Sequence, residues 1–456
     1  MNSTTLEKQT KNLSSTQRTA AKTPPPSERL AIYGGPKAVQ RKYSERWKHL
    51  RLRDLSPALP YIAMGHSTIP TGGILTRFES AFSKMTGANY SLMMNSGTAT
   101  LHSAYFAVGL RPGDEVIVPA YTFFASAAPI LQFGATPVFC DVDENTLTAD
   151  PDDVEKRITA KTRAICVVHV WGNPARLDRF VDIAKRHNIA LIEDASHAHG
   201  ATYNGQPVGT FGDIGCFSLQ GSKAVSGGEA GIAITNNVDY YERMLSLGHN
   251  FRDGDFVTGK IDLDGMNLGL KYRPHLCAVA LATSSLRRLP KLNRLRQQNY
   301  AILSEELAGC DAVIPIATYP GAKRGGFLKF VLRYRPEKAA GWCRDTFVAA
   351  AQAEGVKVVP DRYTMQSATG RLLNEAPLFN ELAESNWAGM LSEVKQNPLP
   401  RDVRLPVSQQ LADELLTLPS FTRVNSKYIV QTATALKKVA SAALHIGDYR
   451  TGEYGK

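Results

Sequence analysis

Lys223 lies at the centre of a stretch that reads GCFSLQGSKAVSGGEAG, Gly215–Gly231. It opens as an apolar strand over Ile214 to Leu219, turns polar and glycine-rich around the lysine, then resumes as an apolar strand from Gly231 to Thr235. Burial disfavours an ammonium ion, so a lysine at the end of a buried strand can present a neutral amine that attacks a carbonyl. Gly221, Ser222, Gly227 and Gly228 leave room for a bulky group against the backbone. A surface loop with an ordinary solvated lysine is the competing reading of this stretch taken alone. Three more groups fall at loops after strands, where open α/β sheets bind ligands. The turn Asn95-Ser96-Gly97-Thr98-Ala99 enters a helix, and its unpaired N–H groups suit an anion such as a phosphate. Glu193-Asp194 ends a buried strand and needs a cation to offset the burial of its charge. Pro119-Ala120-Tyr121-Thr122-Phe123 could set Phe123 flat against a ligand ring. The plainer readings are an N-cap by Asn95 or Ser96, an ordinary ion pair and a core phenylalanine.

These groups need a scaffold, and the patterning supplies one. Short apolar runs at Tyr90–Met94, Glu115–Pro119, Pro137–Asp141, Arg163–His169 and Ile189–Glu193 read as strands buried on both faces, because they are continuous rather than alternating. Between and before them, Ile74–Thr86, Gly97–Val108, Thr122–Phe133, Asp150–Ile158 and Ala175–His187 read as helices. The expected fold is α/β, a mainly parallel sheet with helices on both faces. From His275 a helical pattern runs to Pro290, breaks, and resumes over Leu292–Leu307. Beyond it Phe327–Tyr334 and Val356–Pro360 read as strands, and Gly341–Glu354 and Ile429–Ala443 as helices, giving a smaller α+β domain. The division expected is a disordered Ser/Thr/Lys/Pro-rich tail over 1–30, a large domain over 31–308 that includes an irregular N-terminal segment, and a small domain over 309–456.

Composition narrows the class. The 456 residues carry a net charge of +11, with basic clusters over Lys37–Arg53 and at Arg287, Arg288, Lys291, Arg294 and Arg296. No finger spacing or aromatic-interleaved basic patch accompanies them, so solvated helix faces are expected rather than a nucleic-acid surface. No apolar run reaches membrane-spanning length and no secretory signal is expected. Six cysteines scattered through apolar strands read as reduced thiols in a cytoplasmic compartment. His197 and His199 form a faint metal pair, but no third ligand follows at useful spacing and zinc is discounted.

An amine, an acid, an anion cradle and a stacking ring are together what pyridoxal phosphate requires. The chain resembles the pyridoxal-phosphate aminotransferases of fold type I, in particular the DegT/DnrJ/EryC1/StrS family of sugar and aminocyclitol aminotransferases. The matching blocks are NSGTATL (Asn95–Leu101), GDEVIVPAYTFFA (Gly113–Ala125), GATPVFCDVD (Gly134–Asp143), IEDASHAHGA (Ile192–Ala201) and FSLQGSKAVSGGEAG (Phe217–Gly231). The resemblance implies a seven-stranded sheet and gives the residues roles. Lys223 is implied as the lysine bonded to the cofactor and as the proton carrier, and Asp194 as the acid on the pyridinium nitrogen. His197 is implied beside the ring oxygen and Phe123 over the ring. Gly97, Thr98, Ala99 and Ser218 are implied at the phosphate. A neighbouring subunit of a homodimer is implied to complete that site from Gly269–Arg273, through Lys271 or Arg273.

The chain departs from the family pattern at Lys271, where asparagine is common, at Ala230, where glycine is usual, and at Asp361-Arg362-Tyr363, where relatives often carry histidine. The implied reaction moves an amino group from L-glutamate or L-glutamine to a keto-sugar or keto-cyclitol, as in amino-sugar or antibiotic biosynthesis. A dehydratase subgroup that has lost the lysine is disfavoured by Lys223. Other fold-type-I chemistry, such as a lyase or decarboxylase, and a non-catalytic regulator are the alternatives.

Overall fold

The protein is described from a computed structural model, over residues 29–48, 50–66, 71–250, 252–261, 268–361, 372–380 and 403–446. Tail residues 1–28, and Arg362 and Tyr363, lie outside these ranges.

Seven strands form the main sheet: β1 (Tyr90–Met94), β2 (Glu115–Pro119), β3 (Thr136–Cys140), β4 (Thr162–Val168), β5 (Ala190–Asp194), β6 (Ile214–Ser218) and β7 (Gly231–Thr235). Their order is β1-β7-β6-β5-β4-β2-β3, with β7 antiparallel to both neighbours and the other pairings parallel. Register brings the functional tips level. Val168 pairs with Asp194, Asp194 with Cys216, Ser218 with Gly231, and Gly231 with Met94. Successive strand residues point to opposite faces, and both faces are covered. Met93, Ile117, Ile165, Val167 and Leu191 enter one core, while Leu92, Met94, Val116, Val118, Cys166 and Ile192 enter the other. Helices α1 (Gly73–Thr86), α2 (Gly97–Ala107), α3 (Leu177–His187) and α4 (Val238–Gly248) flank the sheet.

Helix α5 (Leu276–Glu306) runs unbroken through Pro290, against the break expected there. Proline removes one helical hydrogen bond, but Leu289 and Leu292 on either side are buried in the same core and hold the helix through. At its far end Leu303 enters a third core, built on a second sheet of β8 (Val313–Pro315), β9 (Lys329–Tyr334), β10 (Val359–Pro360) and β11 (Leu415–Pro419), ordered β8-β9-β11-β10. Helices α6 (Arg344–Ala353) and α8 (Ser426–Ile446) pack on it, and α7 (Pro406–Glu414) precedes β11. Only Val359–Pro360 of the Val356–Pro360 run is strand.

Three other expectations change. Over 122–133 there is no continuous helix but a 3-10 turn, Phe124–Ser126, then a single α turn, Ala128–Leu131. Pro129 has no N–H to carry a helix through this stretch, so the second turn starts afresh at Ala128, and the Ser126 hydroxyl donates to Asp194 in the site. The N-terminal segment, expected within the large domain, is shared: Ala58 is buried in the core of Met93 and Leu191, with Trp47 and Tyr61 against it, while its start reaches the third core. Leu30 and Val39 are buried there, Glu354 accepts from the N–H groups of Ala31 and Ala38, and Glu45 accepts from those of Thr422 and Arg423. The basic face of α5 is not uniformly solvated. Arg296 is fully buried, donating to the carbonyl of Phe327 at 3.0 Å, to that of Gly326 and to Thr422 Oγ1 at 2.9 Å. All six cysteines are unpaired, and among the described residues no helix is long and apolar enough to cross a membrane.

Candidate active site

The tips of β4, β5 and β6 and the first turn of α2 enclose a cavity of about 460 Å³, and both Lys223 and Asp194 line it. Lys223 sits in the loop from β6 to β7, whose polar groups are used locally. Its N–H donates to the Gln220 carbonyl at 2.9 Å, Ser222 Oγ donates to Gln220 Oε1 at 2.7 Å, and Gly227 N–H donates to Leu219 O at 2.8 Å. From α5, Ser285 Oγ accepts the Ser226 N–H at 3.1 Å. The loop is therefore braced at several points and carries its lysine inward, to 6 % exposure. Burial lowers the Lys223 pKa from 10.5 to about 8, and the Asp194 carboxylate opposes part of that shift. The amine is thus poised near neutrality, as a nucleophile and proton carrier requires.

Asp194 ends β5 and is buried. Its Oδ2 accepts from Ser126 Oγ at 2.7 Å and its Oδ1 from Ser196 N–H at 3.1 Å. Glu193, one residue earlier, points to the other face and serves structure. It accepts from the N–H groups of Gly209, Phe211 and Gly212, each at 2.7 Å, and lies 3.0 Å from His169 Nε2.

Helix α2 opens directly on the cavity. Ser96 is its N-cap, accepting the Ala99 N–H at 3.0 Å, and Gly97 and Thr98 line the cavity. The first N–H groups of a helix have no partner within it and carry its positive end. A side chain at position 97 is excluded by close packing, because a Cβ there would lie 2.7 Å from Ser218 Cβ. Gly231 is equally confined, with the Ser96 carbonyl 2.3 Å from where its Cβ would be.

His197 lines the cavity and is buried. Burial, and then the charge of Lys223, hold its pKa well below the ordinary 6.5, so its ring is neutral. His199 points elsewhere. It is fully buried against Phe217, both ring nitrogens lack a hydrogen-bond partner, and burial lowers its pKa to about 3.

Lys223, Asp194, His197, Gly97, Thr98, Ser218 and Phe123 therefore meet in one cavity, with Phe123 40 % exposed at its edge beside Phe124. Three other expected residues do not line it. The Ala99 N–H is consumed by the Ser96 cap. Lys271 and Arg273 lie on a segment that meets the α2 turn through its backbone: Asn95 N–H donates to Tyr272 O at 2.7 Å and Asn95 Nδ2 to Lys271 O at 3.1 Å. Their side chains do not line the cavity, and Lys271 is exposed. Residues not anticipated include Thr122, Ser196, Gln220 and Glu229 in the lining and Ser126 behind Asp194. Their signal was proximity to the strand-end motifs, which does not reveal where a hydroxyl points. Asp361 is buried and accepts from Tyr121 OH.

A doubly covered, mainly parallel sheet with a buried, pKa-lowered lysine and a carboxylate at its strand tips is the arrangement of a fold-type-I aminotransferase. The comparisons narrow the class. Residues 62–437 match the DegT/DnrJ/EryC1/StrS aminotransferase family, and the chain belongs to it. It is 31 % identical over 391 residues to a putative L-glutamine:3-amino-2,3-dideoxy-scyllo-inosose aminotransferase of Micromonospora echinospora, covering 85 % of this chain and 90 % of that protein. The L-glutamine:scyllo-inosose aminotransferase of Streptomyces griseus is 34 % identical over 370 residues, covering 79 % and 85 %. Among solved structures, an aminotransferase from Psychrobacter cryohalolentis superposes with a TM-score of 0.74 at 26 % identity, over 88 % of this chain and 100 % of that one.

Proposed function

We propose that this protein is a pyridoxal-phosphate-dependent aminotransferase that moves the amino group of L-glutamine, or of L-glutamate, to a keto-cyclitol. The observation that carries this reading is the shared cavity of Lys223 and Asp194 at the start of α2. The donor set fits the cofactor. Lys223 would bind its aldehyde, Asp194 its pyridinium nitrogen, and the N–H groups of Gly97 and Thr98 with Ser218 Oγ its phosphate. Phe123 would lie over the ring and His197 beside its ring oxygen. When bound, the cofactor supplies an electron sink for the carbon that loses its proton. Lys223 Nζ takes the Cα proton of the amino donor and later returns a proton to the product. Asp194, held by Ser126 and the Ser196 N–H, keeps a fixed negative charge where a cationic nitrogen needs one.

The lining also bears on the acceptor. Lys223 is the only lysine or arginine among the described residues of the cavity, while Thr122, Ser196, Gln220 and Ser222 offer hydroxyls and an amide. A neutral polyhydroxylated ring calls for such uncharged partners. The scyllo-inosose substrates in the names of relatives support the same choice. Exposed Leu52, Leu59, Ile62 and Met64, close together in sequence, support pairing with a second copy. In that homodimer Lys271 or Arg273 would reach the neighbour's phosphate. Unpaired cysteines fit a reducing, cytoplasmic setting.

The test is a half-reaction. Adding L-glutamine alone to cofactor-loaded protein should yield pyridoxamine phosphate, and scyllo-inosose should then consume it faster than a nucleotide-linked keto-sugar or a 2-oxo acid. Failure to form pyridoxamine phosphate with either glutamine or glutamate would overturn the reading.

A further inference from the structure

After β4 the chain passes through Val170–Gly172, and Trp171 there has φ 55° and ψ 15°. This left-handed backbone costs a non-glycine residue roughly 1–2 kcal/mol, so its surroundings must hold it. Trp171 is 3 % exposed, and its ring lies 5.6 Å from the His197 ring at an interplanar angle of 27°. The indole Nε1 donates to Tyr121 OH at 2.9 Å, and Tyr121 OH donates in turn to Asp361 Oδ2. Asp361 is anchored to the second sheet, its N–H donating to the Leu415 carbonyl at 2.9 Å. A buried relay thus runs from β11, through Asp361 and Tyr121, to the indole of Trp171.

At the other end of the same residue, the Trp171 main-chain N–H donates to His197 Nδ1 at 3.2 Å. A ring nitrogen that accepts an N–H carries no proton itself. In a neutral imidazole the proton is then on Nε2. We propose that Trp171 is a positioning residue for His197: its main-chain N–H fixes the imidazole as an Nε2–H donor, and the Asp361–Tyr121–indole relay holds that N–H in place. A neutral donor in the cavity wall suits an anionic oxygen of the bound group, where a charged imidazolium or the opposite tautomer would misdirect the proton. That this donor serves amino transfer rests on the function proposed above; the tautomer and the relay do not.

The experiment records long-range ¹H–¹⁵N spectra of full-length protein labelled at histidine, before and after cofactor loading, with His197 assigned from its loss in His197→Asn. Wild type should show His197 as the Nε2–H tautomer in both states. Tyr121→Phe removes the shared hydroxyl, and Asp361→Ala removes its acceptor; each should add Nδ1–H signal for His197. Both should also lower kcat with L-glutamine roughly tenfold while KM stays within about twofold. Asp361→Asn keeps a carbonyl oxygen for Tyr121 and should restore the wild-type spectrum, which a merely space-filling role for Asp361 does not predict. The proposal is overturned if wild-type His197 carries its proton on Nδ1, or if Tyr121→Phe and Asp361→Ala both keep the wild-type spectrum. If no amino transfer is found but the spectra behave as described, the functional reading fails and the positioning role stands.

Discussion

Two cavities of nearly equal size lie at opposite ends of the main sheet, about 460 Å³ at the strand tips and about 450 Å³ at the strand starts. Their linings differ in kind. At the tips, Lys223, Asp194 and His197 are all buried, and Lys223 and His197 are displaced from their ordinary ionisation by that burial. At the starts, the charged side chains are Arg163, Lys185 and Asp213. Arg163 pairs with Asp114 at 3.2 Å and is 46 % exposed; Asp213, whose pKa burial raises, accepts the Leu191 N–H at 2.8 Å and has no cation buried beside it among the described residues of the lining. Volume does not separate the two. The proposed site is the one whose lysine and carboxylate lie together out of water, where each interacts strongly with whatever enters.

Four tests should sharpen that contrast. The largest effect is expected from Lys223→Ala, whose turnover should fall by roughly 10⁴-fold or more, about 5.5 kcal/mol of barrier. Lys223→Arg should do no better, because a guanidinium does not give up its proton. Rapid-mixing kinetics with L-glutamine would measure both, and activity within tenfold of wild type would contradict the assignment. Next, Asp194→Asn keeps one oxygen for the Ser196 N–H, turns the atom facing Ser126 into an NH2 donor that the hydroxyl can accept, and removes the charge. The expected loss in kcat is roughly 10²–10³-fold, with the circular dichroism unchanged.

The third test is thermodynamic and needs no substrate. The Lys223 pKa is about 8 in the folded protein and 10.5 as the ordinary value. Between those values the unfolded chain binds the proton that the folded chain has lost, so stability rises with pH across this window. The rise should approach about 3 kcal/mol in cofactor-free protein, because a buried ammonium is costly below pH 8 and the cost disappears as it deprotonates. Denaturant midpoints from pH 7.5 to 10, taken as wild type minus Lys223→Met, isolate this lysine. A flat difference would mean its pKa is not lowered. The smallest effects belong to the other cavity. Arg163→Ala and Lys185→Ala should each change stability by less than about 0.5 kcal/mol and leave kcat within about twofold.

The same contrast explains what could be read in the sequence. Strands β1 to β7, helix α2 and the loop of Lys223 were legible because doubly buried strands and glycine-rich turns leave strong local patterns. Asp194 was separable from Glu193 only through the resemblance to a family, since both are acids at one strand end and only the fold shows that Glu193 faces three backbone N–H groups. Ser126, Trp171, Tyr121 and Asp361 carry no local signature. Tyr121 and Asp361 stand 240 residues apart in the chain, and their contact exists only once the second sheet has docked. Pro290 misled for the opposite reason, because a strong local signal was outweighed by core packing on both sides of it.

The central claim is that the buried amine of Lys223 is where the cofactor attaches. Loading the purified protein with pyridoxal phosphate, reducing it with borohydride and mapping the peptides by mass spectrometry tests this directly. The account predicts one pyridoxyl group, on the Lys223 side chain, and none in the Lys223→Ala protein. A label on any other lysine, or an equal yield from that variant, would contradict it.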